Sequence, residues 1–451
     1  MQNTVVMKKR SIDPMLKMIR ESELLISNGM NQEQAAIYSR LKKYISPQEQ
    51  RYAVKNTSIV IEGYAGTGKT FLISKLVNFI TRTHKRWQIA MTAPTNKAVN
   101  VLYRASRLDE SMNSVAFMTI HKLLGLTEEI TDKGEQLFVQ KKADRCVINN
   151  FRVLIVDEVS MLDDSLFKEL IKYADSIHII FLGDRCQIPP VNRMDCIPLK
   201  KDTGVSQDGY YFVREKLTQI MRQEQDNPIV RLSTTIRTYL GAEQPVTKLL
   251  PIEVDSKGNG VFWLDSKHQS ERDRLRGLLK DYFDCWQFER DPNYAKVLAW
   301  RNKTVGSMNS IIREIRFGKD TPELVKGDWL ITDKPILDDG AKQRVKFNTS
   351  DEFEVLDVRV GSHTPYRLGI TKIFKTYECR IRCNTCEGTN VEDTIRVLHK
   401  DSHGLYVAEL SILKAKAIAS AGANGSWINY FNFMREFAQV KYNYAITVHK
   451  A

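Results

Sequence analysis

Residues 63–70 have the glycine spacing of a phosphate-binding loop, and they follow the apolar run 58–61. Such glycines let backbone N–H groups surround a β-phosphate at a helix start, where the helix dipole also favours anions. Lys69 would reach the β- and γ-phosphates, and the Thr70 hydroxyl would ligate Mg²⁺. The predicted nucleoside triphosphate site comprises Gly63, Tyr64, Ala65, Gly66, Thr67, Gly68, Lys69 and Thr70.

Two adjacent acids, Asp157 and Glu158, directly follow the wholly apolar run 153–156. A carboxylate at the carboxyl end of a buried strand can reach Mg²⁺, which is the role expected for Asp157. Its neighbour Glu158 can orient the attacking water. The alternative is a pair of solvated acids at a strand end, which a chain with a phosphate loop disfavours.

The elements that must position these residues alternate along the chain. From residue 57 to about 187, short apolar runs alternate with helical segments, which predicts a parallel sheet covered on both faces. The run 296–300 opens a second α/β region. Period-2 stretches at 353–358 and 377–382 predict antiparallel hairpins in a small β module. An aromatic helix over 427–440 and a last strand at 444–448 are expected to follow.

Composition narrows the class of protein. At 451 residues with 42% hydrophobic content, the chain is long enough for two to four domains and is not disordered. The formal net charge of +13 favours a polyanionic partner such as nucleic acid, with a solvated basic surface as the alternative. No apolar run approaches the roughly 18 residues of a membrane span, and no signal peptide is expected. Seven scattered cysteines fit a reducing, cytoplasmic location.

Further motifs resemble those of superfamily 1 helicases. In chain order they are 30–38 (Q motif), 93–99 (motif Ia), 119–121 (motif Ib), 181–191 (motif III) and 217–223 (motif IV). Their order and spacing, together with 447–451, resemble most closely the Dda-type, RecD-like branch, over residues 28–451. This resemblance implies ATP and Mg²⁺ as cofactors, single-stranded DNA and the DNA fork as partners, and 5′-to-3′ movement.

The resemblance also implies an α/β fold with two RecA-like phosphate-loop motor domains. A small pin would be inserted in the first and an SH3-like β module in the second. The expected divisions are a helical lead-in (1–27), a first motor (28–225, with the pin at 126–143), a second motor (226–320 plus 438–451) and the β module with a helix (321–437).

By the same resemblance, Gln34 would contact adenine, and Gln187 would sense the γ-phosphate and couple it to the DNA groove. Arg222 would bind the γ-phosphate from the rim of the first motor. The plain alternatives are a solvated helix residue for Gln34 and a surface ion pair for Arg222.

A motor on single strands needs contacts to the nucleic-acid backbone at the carboxyl edge of each parallel sheet, with aromatic residues to stack bases. The expected contact residues are Pro94, Thr95, Asn96, Lys97, Thr119, His121, Asn302, Lys303, Thr447, His449 and Lys450. His121 and His449 have a structural histidine as their alternative. In the Dda family the insertion between motifs Ib and II splits the duplex, which makes Phe138 the expected wedge. The alternative is that Phe138 anchors the hairpin to its own domain.

Zinc is not expected, although Cys383, Cys386, His399 and His403 have zinc-finger spacing. The segment 394–398 reads as a strand rather than the required helix, and Cys379 and Cys383 share a strand face with Ile381.

Family members continue beyond the His-Lys-Ala stretch that ends here at Ala451, and their motif VI carries an arginine. A truncated or split protein is therefore expected, with a C-terminal partner polypeptide that carries motif VI, and with weak hydrolysis by this chain alone. Two rival functions stay open: a superfamily 1 RNA helicase, and a nucleotide-gated single-stranded nucleic-acid-binding protein without motor activity.

Overall fold

Two compact units make up the computed structural model of the chain. The first contains residues 1–126 and 140–260, and the second contains 127–139 and 261–451. The structure describes residues 25–26, 29–46, 56–108, 113–130, 136–139, 146–190, 195–200, 210–220, 227–241, 253–254, 260–261, 264–265, 267–338, 345–384, 390–420 and 426–448. Each unit has its own sheets and its own apolar core.

A six-stranded parallel sheet forms the centre of the first unit, in the order β3-β2-β6-β7-β1-β8. Its strands are β1 (Thr57–Gly63), β2 (Ile89–Ala93), β3 (Val115–Thr119), β6 (Val153–Val156), β7 (His178–Gly183) and β8 (Tyr211–Leu217). The parallel α/β fold predicted from the apolar runs is confirmed. The apolar runs recognised in the sequence did not include β3 and β8. These two strands lie at the edges of the sheet, where they are less buried, and β8 alternates exposed with buried residues.

Helices cover both faces of this sheet. They are α1 (Gln32–Tyr44), α2 (Lys69–Thr83), α3 (Asn96–Ser106), α4 (Ile120–Leu123) and α5 (Asp164–Ile171), while α6 (Pro228–Gly241) follows the last strand of the sheet in the chain. Each face of the sheet packs against its own apolar cluster. On β1, Ile61 belongs to one cluster and the adjacent Val60 to the other. Continuous burial on two faces is why these strands read as unbroken apolar runs rather than alternating ones.

The second unit contains a hairpin, a short parallel pair and an antiparallel sheet. The hairpin pairs β4 (Thr127–Ile130) with β5 (Gln136–Val139), and its expected turn at 132–134 lies outside the described residues. The parallel pair is β11 (Val297–Ala299) with β19 (Ala445–Thr447). The second unit also contains the short strands β13 (Ile336–Leu337) and β14 (Val345–Phe347). Strand β9 (Glu253–Val254) belongs to the first unit, and β10 (Gly260–Val261) begins at the last residue of that unit. The helices are α7 (Gln269–Phe283), α8 (Trp286–Arg290), α9 (Asn302–Phe317), α10 (His403–Ala419) and α11 (Ser426–Met434).

Five antiparallel strands form the larger sheet of the second unit, in the order β17-β16-β15-β12-β18. They are β12 (Trp329–Thr332), β15 (Glu352–His363), β16 (Phe374–Asn384), β17 (Asn390–Leu398) and β18 (Val440–Tyr442). On β16, Cys379, Ile381 and Cys383 are all buried in one apolar core, as their shared face predicts. His399 lies just after β17, and its Nδ1 accepts a hydrogen bond from the Asp401 backbone N–H at 3.1 Å.

The aromatic helix expected over 427–440 is shorter than the pattern indicated. Helix α11 ends at Met434, and residues from Val440 form a strand that pairs with Leu330–Thr332. The Ala438 N–H donates to the Arg396 carbonyl at 2.7 Å, so the backbone after the helix already bonds to another segment. The helix therefore ends before the apolar pattern does, because the residues that follow it bond to segments distant in sequence. Within the described ranges, no helix combines the length and apolarity needed to cross a bilayer.

At the amino-terminal edge of the parallel sheet, an aromatic stack surrounds a buried histidine. His178 begins β7, with the Trp87 ring stacked 5.9 Å away and the Tyr44 ring edge-on at 5.1 Å. His84 also stacks on Trp87, with the ring centroids 4.2 Å apart, and the Arg152 guanidinium lies 5.8 Å from the Trp87 ring. Burial, aided by the charges of Arg152 and His84, lowers the pKa of His178 to about 4. The native protein therefore keeps this imidazole neutral.

We expect this stack to make the stability of the first unit sensitive to acid. Between about pH 6.5 and pH 4 the unfolded chain protonates His178 while the folded chain does not, so the free energy of unfolding falls as the pH falls. The loss reaches about 3 kcal/mol. In denaturant unfolding, the stability difference between the wild type and His178→Gln should shrink by that amount from about pH 7 to about pH 4. The exposed His268 provides the control His268→Gln, and parallel curves for the wild type and His178→Gln would contradict the prediction.

Candidate nucleotide site and nucleic-acid edge

The phosphate loop joins the end of β1 to the start of α2. Gly66 and Gly68 both have φ near +80°, a conformation that side chains disfavour. Gly63 admits no side chain either, since a Cβ there would lie 2.7 Å from Thr67 Oγ1. The Lys69 ammonium folds over this loop and donates to the carbonyl oxygens of Gly63 at 2.6 Å and Tyr64 at 3.1 Å. The glycines therefore keep the loop open to an anion, with the lysine held at its rim.

Three carboxylates surround the lysine at the carboxyl end of the sheet. Burial lowers the pKa of Lys69, while the charges of Asp157, Asp184 and Glu158 oppose that shift. Burial also raises the pKa of Asp157, although its Oδ1 accepts the Glu158 N–H at 2.8 Å. For Glu158, burial and then the Asp157 charge raise the pKa to about 7. Glu158 itself has φ +51°, a strained conformation for a non-glycine residue, as functional sites often have.

These groups fit a magnesium nucleotide better than a metal ion alone. Among the described residues, no cluster of three His, Cys, Asp or Glu side chains could hold a metal. Mg²⁺ usually takes only one or two protein ligands, with substrate phosphates and water completing its shell. Thr70 at the start of α2 and Asp157 after β6 could supply those two ligands. In addition, Gln187 Oε1 is buried without a hydrogen-bond partner in the described part of the protein, as expected of a group that meets a ligand.

Gln34 lies under the phosphate loop rather than in solvent. Its side chain is 1% exposed, and its Nε2 donates to the Thr67 carbonyl at 3.0 Å. Its Oε1 accepts the Asn31 N–H at 3.1 Å, and the Asn31 side chain accepts the Gln34 N–H in return, which closes a capping box at the start of α1. A Cβ on Gly68 would lie 2.5 Å from Gln34 Nε2. The solvated alternative for Gln34 is thus wrong, and contact with adenine stays a prediction.

Several bonds hold the first residues of the loop that carries Gln187. The Asp184 carbonyl accepts the Gln187 N–H at 3.0 Å, and Asp184 Oδ1 accepts the Cys186 N–H at 3.0 Å. Arg185 forms a two-pronged ion pair with Glu62, the residue just before the phosphate loop, at 2.5 and 2.6 Å. The motif III loop is therefore tied to the strand that leads into the phosphate loop.

Sequence reasoning missed one arginine at this site. Arg237 on α6 donates through both terminal nitrogens to the Asp184 carboxylate, and its guanidinium lies 4.3 Å from the Tyr64 ring centroid. No recognised motif contains Arg237, and the only signal is an arginine in an otherwise uncharged helical segment, 232–241. The predicted arginine, Arg222, lies outside the described residues, as do His449 and Lys450.

The Q-motif helix also holds the segment that leads to Arg222. The Glu33 carboxylate accepts the backbone N–H groups of Thr218 at 2.8 Å and Gln219 at 3.2 Å. Helix α1 therefore supports both the phosphate loop, through Gln34, and the start of motif IV, through Glu33.

In the first unit, most of the predicted DNA-contact residues lie together at the carboxyl edge of the sheet. Pro94, Thr95, Asn96 and Lys97 follow β2, while Thr119 ends β3 and His121 lies in α4. Ala93 and Thr119 are paired in register, so the two groups are neighbours. The Thr95 and Thr119 hydroxyls cap α3 and α4 as acceptors, and a capping hydroxyl keeps its own hydrogen for a second partner. His121 is half-buried, and burial lowers its pKa.

The second unit has a smaller edge of the same kind. Asn302 and Lys303 are exposed at the start of α9, directly after β11, and Thr447 ends β19. Ala299 and Thr447 are paired in register, so Thr447 and the start of α9 follow neighbouring strand ends. For Phe138, the structure places the backbone in β5 opposite Glu128, while its side chain lies outside the described part.

A parallel α/β sheet with a phosphate loop and a strand-end Asp-Glu pair defines the phosphate-loop class of nucleotide-binding proteins. The AAA domain family matches residues 48–193. The ATP-dependent DNA helicase dda of Enterobacteria phage T4 is 26% identical over 88% of this chain and 85% of its own length. The RecBCD enzyme subunit RecD of Buchnera aphidicola subsp. Schizaphis graminum is 32% identical over 60% of this chain and 45% of its own length.

Among solved structures, the chain is similar to a structure that describes DNA unwinding at forked double-stranded DNA by two coordinating Pif1 helicases. The match covers 93% of this chain and 83% of the other chain, with 13% sequence identity and a TM-score of 0.45. These helicase relatives confirm the resemblance that the motifs predicted, to the Dda-like and RecD-like helicases of superfamily 1.

Proposed function

We propose that the chain is an ATP-dependent DNA helicase that moves 5′ to 3′ on single-stranded DNA. One arrangement carries the proposal: the phosphate loop, the Asp157–Glu158 pair and Gln187 lie in the same unit as a basic and polar strand edge. Among the described residues, none bonds to the buried Gln187 Oε1. The nucleotide groups supply the chemistry of hydrolysis. The edge formed by Thr95, Lys97 and Thr119 supplies hydroxyl and ammonium donors for a phosphodiester backbone.

Hydrolysis follows from the observed groups. The Lys69 ammonium exchanges its bonds to loop carbonyls for the β- and γ-phosphate oxygens, where it stabilises negative charge. Thr70 and Asp157 would hold Mg²⁺, which would supply positive charge next to the transferred phosphoryl group. Glu158, buried and adjacent to Asp157, orients the attacking water and accepts its hydrogen bond. We expect Gln187 to donate to the γ-phosphate through Nε2 and to accept from the attacking water through Oε1, so that loss of the phosphate changes the contacts of this side chain.

The connections of the motif III loop support coupling between the nucleotide site and DNA. The Gln187 N–H donates to the Asp184 carbonyl, and the Arg185 guanidinium pairs with Glu62 in the strand that leads into the phosphate loop. A shift of this loop on phosphate release would pass to the sheet edge that binds DNA. Adenine contact by Gln34, a γ-phosphate contact by Arg222 and DNA contacts by Asn302, Lys303, Thr447, His449 and Lys450 complete the proposal.

The decisive experiment measures ATP hydrolysis with and without single-stranded DNA, and then unwinding of 5′-tailed and 3′-tailed duplexes. Stimulation by DNA and unwinding of the 5′-tailed duplex support the proposal. Stronger stimulation by single-stranded RNA would favour the RNA helicase instead. Nucleotide-dependent DNA binding without turnover would favour the gated binding protein.

The hairpin of β4 and β5 is the proposed pin, with Phe138 as its wedge. We expect Phe138→Ala to reduce the unwinding rate roughly tenfold, because base stacking contributes about 1–3 kcal/mol per base. Single-strand-stimulated ATP hydrolysis should stay unchanged. The matched control is Gln136→Ala on the same strand. An equal loss of unwinding and of ATP hydrolysis would favour the alternative in which Phe138 anchors the hairpin.

A further inference from the structure

Arg237 joins two parts of the nucleotide site that are far apart in sequence. Its guanidinium pairs in two-pronged fashion with the Asp184 carboxylate, and one of the bonds, from Nη1 to Oδ1, measures 2.8 Å. The opposite partner is the Tyr64 ring of the phosphate loop, at 4.3 Å from the guanidinium carbon. The Arg237 side chain is 18% exposed and that of Asp184 is 1% exposed. The Arg237 side chain is therefore largely buried within the nucleotide site.

Asp184 accepts several of the hydrogen bonds that hold the loop carrying Gln187. One carboxylate oxygen accepts both the Cys186 N–H and an Arg237 N–H, while the Asp184 carbonyl accepts the Gln187 N–H at 3.0 Å. Any change in the position of Asp184 therefore moves the Gln187 backbone. The hydrogen bond to Asp184 raises the pKa of Arg237, as expected for a strong pair.

The positive charge of Arg237 also reaches the phosphate site. It contributes to lowering the pKa of Lys69, whereas the nearby carboxylates act in the opposite direction. A planar guanidinium suits this position, because it pairs with a carboxylate through two parallel bonds and stacks on an aromatic face at the same time. A lysine provides the charge without either geometric constraint.

From these contacts we infer that Arg237 is a positioning residue for ATP hydrolysis. It holds Asp184, and through it Gln187, in a defined position relative to Tyr64 and the phosphate loop. This inference rests on the proposed ATPase activity. Because the arginine sets the relative position of groups that act in the transition state, its loss should lower kcat much more than it changes the KM for ATP.

The test compares Arg237→Lys and Arg237→Gln in the full chain, with single-stranded DNA present. We expect kcat to fall roughly 30-fold in both variants, since small displacements of catalytic groups cost up to about 10²-fold. The KM for ATP and the dissociation constant of a non-hydrolysable ATP analogue should stay within about threefold of the wild-type values. The control is Arg231→Gln, an exposed position on the same helix, which should leave all three quantities unchanged.

A double variant separates positioning from mere structural support. If Arg237 acts through Asp184, Arg237→Gln combined with Asp184→Asn should be no slower than the worse single variant. Should the glutamine variant fail to fold, the lysine variant decides alone, with its thermal unfolding measured alongside. A wild-type kcat for Arg237→Lys, or additive losses in the double variant, would overturn the inference while leaving the ATPase proposal intact. A wild type without any ATPase activity would refute the proposed function, and the inference with it.

Discussion

ATP turnover by Lys69→Ala is expected to fall by about 10²–10³-fold, the range seen when one group that stabilises transition-state charge is removed. Lys69 is the cation held at the rim of the phosphate loop, within reach of the Gly63 and Tyr64 carbonyls. Alanine leaves the glycine conformations of the loop unchanged but removes that charge. Steady-state phosphate release in the presence of single-stranded DNA measures the effect.

DNA binding by the same variant should be nearly unchanged. The predicted contact residues of the first unit follow β2 and β3, whereas the phosphate loop follows β1. The matched control is Lys75→Ala on the same helix, where the ammonium packs on the Phe71 ring at 5.2 Å. Loss of both ATP turnover and DNA affinity in folded Lys69→Ala would show that the two sites are not separate.

The second large effect is expected for Glu158→Gln, with kcat reduced by about 10²–10⁴-fold, the usual contribution of a positioned general base. The amide keeps the size of the side chain and still forms hydrogen bonds, but it does not accept the proton of the attacking water. ATP binding should persist or tighten, because removal of one of the three carboxylates near Lys69 reduces repulsion of the phosphates. Single-turnover hydrolysis and binding of a fluorescent ATP analogue give the two measurements.

Glu169→Gln is the matched control for Glu158→Gln. The Glu169 side chain is 40% exposed on α5 and forms a surface ion pair with Lys172 at 2.6 Å. It makes the same carboxylate-to-amide change away from the nucleotide site. If Glu158→Gln hydrolyses ATP at the wild-type rate, the water-orienting role belongs to another residue, and Asp157 would be the next to test.

The spacing of a few residue types was enough to predict the parallel sheet and the position of the nucleotide groups within it. A phosphate loop needs glycines at fixed offsets from a strand and a helix, and the structure has β1 and α2 on either side of it. Asp157 and Glu158 follow an apolar strand, and parallel strands buried on both faces are recognisable as continuous apolar runs. These features are local, so short stretches of sequence determine them.

Other features depend on partners that are distant in sequence, and only the tertiary structure decided them. Helix α11 ends at Met434 because Val440–Tyr442 pairs with β12, about 110 residues earlier in the chain. Gln34 is buried because its amide meets the Thr67 carbonyl, and Arg237 enters the nucleotide site because Asp184 and Tyr64 lie opposite it. Local sequence determined which groups could perform the chemistry, whereas long-range packing determined which glutamine and which arginine support the site, since only the folded chain brings those segments into contact.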